Sequence, residues 1–274
     1  MTTFSIQFVG AGPGDPELIT VKGMRALERA DVVVYTGSLV PETLLNWASQ
    51  TACFHNSAPM DLEEIIDIMA AAYTDGKRVV RLHTGDPSLY GAIYEQIVQL
   101  ERRSIPYQII PGVTAAFGAA AAMGIEYTVP EISQTLIVTR MAGRTPVPET
   151  ESLERLAGHR ASMAIYLSVA QIEHVASVLE SAYGSHSMCA VVYRATHPDE
   201  QIIYAPLKEL AQKVRCKGIT RQALIIVGNV LNIQRQKQDL RSSLYDRNFS
   251  HGYRIKNPKT EIGDTNRDAA GTDV

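Results

Sequence analysis

Short apolar runs alternate with stretches of helical periodicity through the first 123 residues. The apolar runs predict buried strands at residues 5–9, 31–35, 78–82 and 106–110. Between them, apolar positions recur every three or four residues, which predicts helices at residues 18–29, 41–48, 61–73, 92–102 and 115–123. Strands that alternate with helices in this way form a mainly parallel sheet that is covered on both faces.

The alternation lapses at residues 124–133, around Pro130, and then resumes with strands at residues 135–139, 162–167, 188–193, 201–204 and 223–227. Predicted helices lie at residues 151–157, 172–182 and 207–214. Two strands follow each other directly at residues 188–204, which indicates a hairpin and therefore a mixed second sheet. We predict an α/β fold with a ligand cleft between two domains, at residues 1–123 and 134–232, which are joined by a linker at 124–133.

The last segment, residues 233–274, is predicted to be a polar basic tail that is partly disordered. Residues 234–259 hold seven basic side chains against two acidic ones. Leu244, Tyr245, Phe249 and Tyr253 lie among these charges. Two interpretations stay open, a solvated flexible tail and a segment that folds over a site or partner.

Composition narrows the class of protein. The 274 residues are 45% hydrophobic and 20% charged with a net charge of −3, which favours a globular chain without general attraction to nucleic acid or anionic membranes. Three widely spaced cysteines indicate a reducing compartment. Residues 1–20 lack the basic and apolar regions of a signal peptide, and the apolar runs are short for a membrane span. We therefore expect a cytoplasmic protein.

Three glycine-bearing loops follow predicted strands of the first sheet, at residues 10–16, 83–91 and 111–115. The carboxyl ends of parallel strands meet at one edge, where open α/β sheets bind their ligands. The sequence therefore predicts a small-molecule site there, with the first loop approaching the ligand closely.

A dinucleotide is a poor candidate for that ligand. The fingerprint would place glycines at positions 10, 12 and 15, but position 15 is Asp15, and Pro13 lacks a backbone N–H. The acidic residue that would bind a ribose is also missing near Tyr35. A nucleotide-dependent oxidoreductase is kept only as an alternative.

Asp86 and Thr114 are the polar side chains that could recognise a ligand at this edge. A carboxylate on the rigid turn between Gly85 and Pro87 suits an ammonium or a sulfonium, although it could also serve only to form the turn. Thr114 could bond a ligand carboxylate or ribose. The spacing of histidines and cysteines predicts no metal site and no covalent nucleophile. The catalytic residue is unknown, with Asp86 and Tyr90 as candidates.

Several short motifs together resemble the tetrapyrrole (corrin/porphyrin) methylase family, over roughly residues 4–232. They lie at residues 10–16 (GAGPGDP), 18–20 (LIT), 84–87 (TGDP), 90–91 (YG), 111–114 (PGVT), 139–140 (TR), 143–149 (GRTPVPE), 192–196 (VYRAT), 198–200 (PDE) and Gly228. Within this family, the sequence most resembles the branch that methylates precorrin-4 at C11. That resemblance lies at residues 140–149, 243–246 and 249–254.

The resemblance implies S-adenosylmethionine as cofactor, bound between two α/β domains of a homodimer, and a tetrapyrrole as substrate. Carried over by position, the cofactor residues are Pro13, Gly85, Asp86, Thr114, Ala115, Leu167, Arg194, Ala195, Ala223 and Leu224. Arg140 and Arg144 are candidates for binding substrate carboxylates, with plain surface charges as the other interpretation. Alternatives are methylation of another tetrapyrrole, such as uroporphyrinogen III, and a module that binds such a ligand without chemistry.

Overall fold

The computed structural model describes residues 4–37 and 39–236, and residues 242, 245, 249, 250, 252 and 254. Its first sheet is parallel throughout, in the order β3-β2-β4-β1-β5. The strands are β1 (Ile6–Gly10), β2 (Val32–Tyr35), β3 (Cys53–Asn56), β4 (Val79–His83) and β5 (Tyr107–Ile110). The predicted parallel sheet is thus confirmed, with β3 as an edge strand that the apolar pattern missed because its residues are largely exposed.

The helices of this half are α1 (Val21–Glu28), α2 (Leu62–Thr74), α3 (Ile93–Arg102) and α4 (Ala115–Met123). The helix expected at residues 18–29 begins later, because the Thr20 hydroxyl caps α1 by accepting the N–H of Gly23. Residues 16–18 form a separate 3₁₀ turn. The helix expected at residues 41–48 is a 3₁₀ helix at Glu42–Trp47.

The second sheet is mixed, as predicted, in the order β6-β7-β10-β8-β9. Its strands are β6 (Leu136–Arg140), β7 (Ser162–Tyr166), β8 (Met188–Tyr193), β9 (Gln201–Pro206) and β10 (Ala223–Val227). Of the strand pairs in this second sheet, only β6 and β7 are parallel, and β8 and β9 form the predicted hairpin. Its helices are α5 (Leu153–Ala157), α6 (Ile172–Tyr183), α7 (Leu207–Cys216) and α8 (Val230–Gln236).

Helix α4 connects the two halves. Its buried face, with Ala116 and Ala119, packs in one cluster with Ala164, Ala190 and Leu224 of the second sheet. Small side chains allow the helix and the sheet to approach closely. The same helix meets the first glycine loop, because a Cβ on Gly118 would lie 2.9 Å from the ring of Pro13. The domain boundaries stay a prediction.

The tail prediction falls mostly outside the described residues, among them Lys237, Arg241, Leu244, Arg247, Tyr253, Lys256 and Lys259. Tyr245 and Phe249 are described and exposed. Helix α8 extends to Gln236, past the expected start of the tail. Within the described ranges, the helices are too short or too polar to cross a membrane.

Candidate functional site

The three glycine loops are joined into one unit by backbone hydrogen bonds. Gly12 and Gly85 bond reciprocally, at N···O distances of 3.2 and 2.8 Å. The third loop is attached through Asp86, whose Oδ2 accepts the N–H of Gly112 at 2.9 Å. The loops therefore converge at one edge, as the sequence predicts.

Gly10 and Gly112 allow the first and third loops to pack closely against each other. A Cβ on Gly10 would lie 2.6 Å from the Cα of Gly112, and one on Gly112 would overlap the carbonyl oxygen of Gly85. Backbone atoms cannot move aside as a side chain can. We expected the first loop to approach a ligand closely, and the member of this loop that lines the cavity is Pro13.

Asp15 also has a local structural role. Its carboxylate caps the 3₁₀ turn by accepting the N–H of Glu17 at 2.9 Å. Its own N–H donates to the Thr196 hydroxyl at 3.0 Å. The loop that follows β8 is thereby attached to the first sheet.

A cavity of about 340 Å³ lies beside these loops, between the two sheets. Ligand sites of proteins commonly have such volumes. All of the residues that the resemblance assigns to the cofactor line it: Pro13, Gly85, Asp86, Thr114, Ala115, Leu167, Arg194, Ala195, Ala223 and Leu224. Their contact with a cofactor stays a prediction, whereas their convergence is a feature of the fold.

Both carboxylate oxygens of Asp86 accept backbone N–H groups. Oδ1 bonds Ser88 at 2.8 Å, and Oδ2 bonds Gly112 as described above. This is the turn-forming role that the sequence left open, extended to a second loop. The candidate catalytic carboxylate therefore has a structural role, and its contact with a cationic ligand group stays a prediction.

Tyr166, which sequence reasoning missed, organises the start of α4. Thr114 makes no side-chain cap. The hydroxyl of Tyr166, at the end of β7, accepts the N–H of Ala116 at 2.8 Å and shares a 2.6 Å hydrogen bond with the Thr114 hydroxyl. A tyrosine at the end of a buried strand was the available signal, but its partner lies 50 residues away in the chain.

We expect Tyr166→Phe to lower the free energy of unfolding by about 1–3 kcal/mol, because it leaves the buried N–H of Ala116 without an acceptor. S-adenosylhomocysteine, the demethylated form of the cofactor that the resemblance implies, should bind several-fold more weakly, since Thr114 and Ala115 would lose their fixed positions. Urea denaturation and calorimetry measure the two effects. The control Tyr94→Phe alters an exposed ring on α3 and should change neither. Equal stability of the two variants would contradict the prediction.

Four non-glycine residues with left-handed backbone angles line the cavity. They are Tyr90, Leu167, Arg194 and Gln222, with φ between 47° and 56°. Each such conformation costs about 1–3 kcal/mol and is retained where surrounding structure enforces it. Tyr90 is exposed and tilted against Tyr166, at 5.4 Å between ring centroids. The grouping of four such residues around one cavity supports it as the candidate functional site.

The guanidinium of Arg194 is engaged within the protein. Its Nε donates to Asp199 Oδ1 at 2.7 Å, and its Nη1 donates to Gln222 Oε1 at 3.3 Å. Its Nη2 lies 3.2 Å from His197 Nδ1. Burial first, and then the Arg194 charge, lowers the pKa of His197.

Arg140 and Arg144 do not line the cavity. The Arg140 guanidinium donates to the carbonyl oxygens of Thr145 at 3.0 Å and Pro146 at 2.7 Å, which fixes the loop after β6. Burial raises the pKa of Tyr90, and the charge of Arg140 opposes that rise. Arg140 therefore lies near the mouth of the cavity, and Arg144 is exposed on the same loop.

The fold and this cavity define a class, the α/β proteins that hold a small molecule between two sheets. The sequence profile of the Tetrapyrrole (Corrin/Porphyrin) Methylases matches residues 5–211. The cobalt-precorrin-4 C(11)-methyltransferase of Methanocaldococcus jannaschii is 53% identical and covers 92% of this chain and 96% of its own. The precorrin-4 C(11)-methyltransferase of Pseudomonas aeruginosa is 47% identical, and the match covers 91% of this chain and 98% of that protein.

Solved structures agree with the sequence matches. A cobalt precorrin-4 methyltransferase superimposes with a TM-score of 0.81 at 45% identity, over 83% of this chain and 95% of that one. A Thermus thermophilus uroporphyrin-III C-methyl transferase in complex with S-adenyl homocysteine superimposes with a TM-score of 0.68 at 28% identity. The match covers 84% of this chain and 94% of that one. The chain belongs to the tetrapyrrole (corrin/porphyrin) methylase family.

Proposed function

We propose that this protein is an S-adenosylmethionine-dependent methyltransferase that methylates C11 of precorrin-4, or of its cobalt complex, in cobalamin biosynthesis. The observation that carries the proposal is similarity to proteins of that name over more than nine-tenths of the chain. The convergence of the ten residues named above on one cavity supports it.

The cavity has the character that an adenosyl thioether needs. Leu39, Leu89 and Val169 provide apolar wall, and Thr114 and backbone groups provide a few polar contacts. S-adenosylmethionine would supply an electrophilic methyl group: the substrate carbon would bond it, the electron pair of the broken C–S bond would stay on sulfur, and the positive charge passed to the substrate would leave as a proton to solvent. The task of the chain is to align carbon, methyl and sulfur away from water, which can contribute several kcal/mol.

No cavity side chain has to exchange a proton for that displacement. Burial raises the pKa of Tyr90 and Tyr166, so both hydroxyls stay protonated at neutral pH. The lowered pKa of His197 keeps its imidazole neutral there. We therefore expect a methyl-transfer rate that varies little between about pH 7 and 9. Tyr90 is retained as the candidate that would contact the substrate, and Arg140 and Arg144 as candidates for its carboxylates.

The decisive test is turnover with methyl-labelled S-adenosylmethionine, metal-free and cobalt-bound precorrin-4, and uroporphyrinogen III. Label at C11, located by NMR, is the expected result, and the faster of the two precorrins identifies the natural form. Label on uroporphyrinogen III alone would move the function to another step. Tighter binding of NAD than of S-adenosylhomocysteine would favour an oxidoreductase, and binding without turnover would favour a carrier.

Two further expectations belong to this proposal. The family resemblance supports a homodimer, which light scattering on the purified protein tests. We also propose a cytoplasmic location, which the three widely separated cysteines support.

A further inference from the structure

A second cavity, of about 320 Å³, adjoins the first and shares Leu39, Thr84, Leu89 and Tyr90 with it. It lies at the carboxyl end of β4, between the first residues of α2 and α3. None of the ten residues assigned to the cofactor lines it. We call it the β4 cavity.

Arg81, on β4, lines this cavity and is 4% exposed. Its Nε donates to Gln96 Oε1 at 3.1 Å, and its Nη1 donates to the Val34 carbonyl at 3.2 Å. Among the described residues, no carboxylate pairs with it. Burial lowers its pKa to about 10, so the side chain still carries its charge at neutral pH. Buried charges are normally paired, because an uncompensated one is unfavourable.

His83, at the end of the same strand, also lines the cavity and is 4% exposed. Its Nε2 has no hydrogen-bond partner in the described part of the chain. The ring stacks on Phe8, at 5.8 Å between centroids, which holds its orientation. A buried ring nitrogen without a partner is rare, and a bound water, ion or ligand group would satisfy it.

The N-terminus of α3 is the third component. This ten-residue helix begins after Ala92, which has φ 49° and makes no side-chain cap. Helix α2, by contrast, starts with a capping box of Asp61 and Glu64. An uncapped N-terminus presents free N–H groups and a partial positive charge, both of which attract anions.

Two carboxylates also belong to the lining, and neither offsets the buried charge by pairing with it. Asp61 is exposed, and its carboxylate accepts the N–H of Glu64 at 2.9 Å. Glu95 is exposed on α3. The buried floor of the cavity is therefore positive and its exposed edge is acidic.

We infer that the β4 cavity binds one carboxylate of the substrate's peripheral side chains, with Arg81 as the cationic partner and the start of α3 as a second donor. This inference rests on the proposed function, because a precorrin carries many carboxylates. A macrocycle in the first cavity would reach the site past Tyr90, which both cavities share. Such a contact would fix the rotation of the ring and thereby the carbon presented for methylation.

The first experiment uses propionate and its neutral isostere propionamide, without substrate or cofactor. Propionate should shift the His83 ring resonance, assigned with His83→Gln, in a saturable manner, and propionamide should not. Arg81→Met should weaken propionate binding at least tenfold. Equal shifts with the two compounds, or unchanged binding by a folded Arg81→Met protein, would overturn the inference.

A second pair of variants decides the question if Arg81→Met fails to fold. Asp and Asn both tolerate the left-handed angle of Ala92 and both cap helices, but only Asp adds a charge. Ala92→Asp should therefore raise the substrate KM at least tenfold over Ala92→Asn, with both variants binding S-adenosylhomocysteine within twofold of wild type. An equal KM for the two variants would contradict the carboxylate site.

The two proposals fail separately. If the wild-type protein binds propionate as described but does not methylate precorrin-4, the proposed function is wrong and the anion site stands. If it methylates precorrin-4 at C11 while propionate binding fails, the function stands and the anion site is wrong.

Discussion

Gly112→Ala is expected to weaken S-adenosylhomocysteine binding about 100-fold and to lower the free energy of unfolding by about 3 kcal/mol. The new Cβ would overlap the Gly85 carbonyl oxygen and lie 2.8 Å from the Cα of Gly10. Overpacking of this kind costs about 1–3 kcal/mol or more, because the neighbours cannot repack. The loops would have to separate, and a loss of about 2.7 kcal/mol of binding free energy corresponds to 100-fold in affinity.

Gly76→Ala is the matched control. Gly76 has a φ of +72°, but a Cβ there would meet nothing within 4 Å. The variant should lose about 1 kcal/mol of stability from backbone strain and retain wild-type affinity for S-adenosylhomocysteine. Calorimetry and urea denaturation on both variants give the comparison. Wild-type binding by Gly112→Ala would show that the three loops do not depend on their close approach.

Asp86→Ala is expected to lower the free energy of unfolding by about 2 kcal/mol in the absence of any ligand. Two backbone N–H groups, of Ser88 and Gly112, would lose a charged acceptor, and such hydrogen bonds contribute about 1.5–3 kcal/mol each before solvent compensates the exposed one. Because the second and third loops would no longer be joined, we also expect about tenfold weaker cofactor binding.

The comparison of S-adenosylmethionine with S-adenosylhomocysteine separates the two roles of Asp86. If the carboxylate positions the loops, both ligands lose affinity by the same factor. If it also contacts the sulfonium, S-adenosylmethionine loses more affinity than S-adenosylhomocysteine does. Asp86→Asn keeps one acceptor oxygen and should lose about half as much stability as Asp86→Ala.

The site was partly predictable. The three loops were placed at one edge because strands that alternate with helices form a parallel sheet, and the carboxyl ends of parallel strands lie at the same edge. The resemblance then named residues of both halves that line one cavity. What could not be predicted was the reason for the glycines, since the contact between Gly10 and Gly112 spans about a hundred residues of chain.

The residues that were missed share a physical cause. Tyr166 acts through Thr114 and Ala116, which lie about 50 residues away in the chain, so no local spacing marks it. Arg81 follows two valines in an apolar strand, and a sequence does not tell whether an acid will pair with it. The edge strand β3 was missed because the apolar pattern detects strands only where their side chains are buried, and the side chains of β3 are largely exposed.

The sequence by itself determined the two α/β halves, the parallel and mixed sheets, the hairpin and the edge where the loops meet. These follow from hydrophobic periodicity and turn chemistry, which act over a few residues. Only the tertiary structure decided that α4 packs on the second sheet, that Asp86 joins two loops, and that a charged Arg81 faces a cavity without a carboxylate partner among the described residues. Each of these depends on which distant surfaces come into contact, and that is settled by packing of the whole chain.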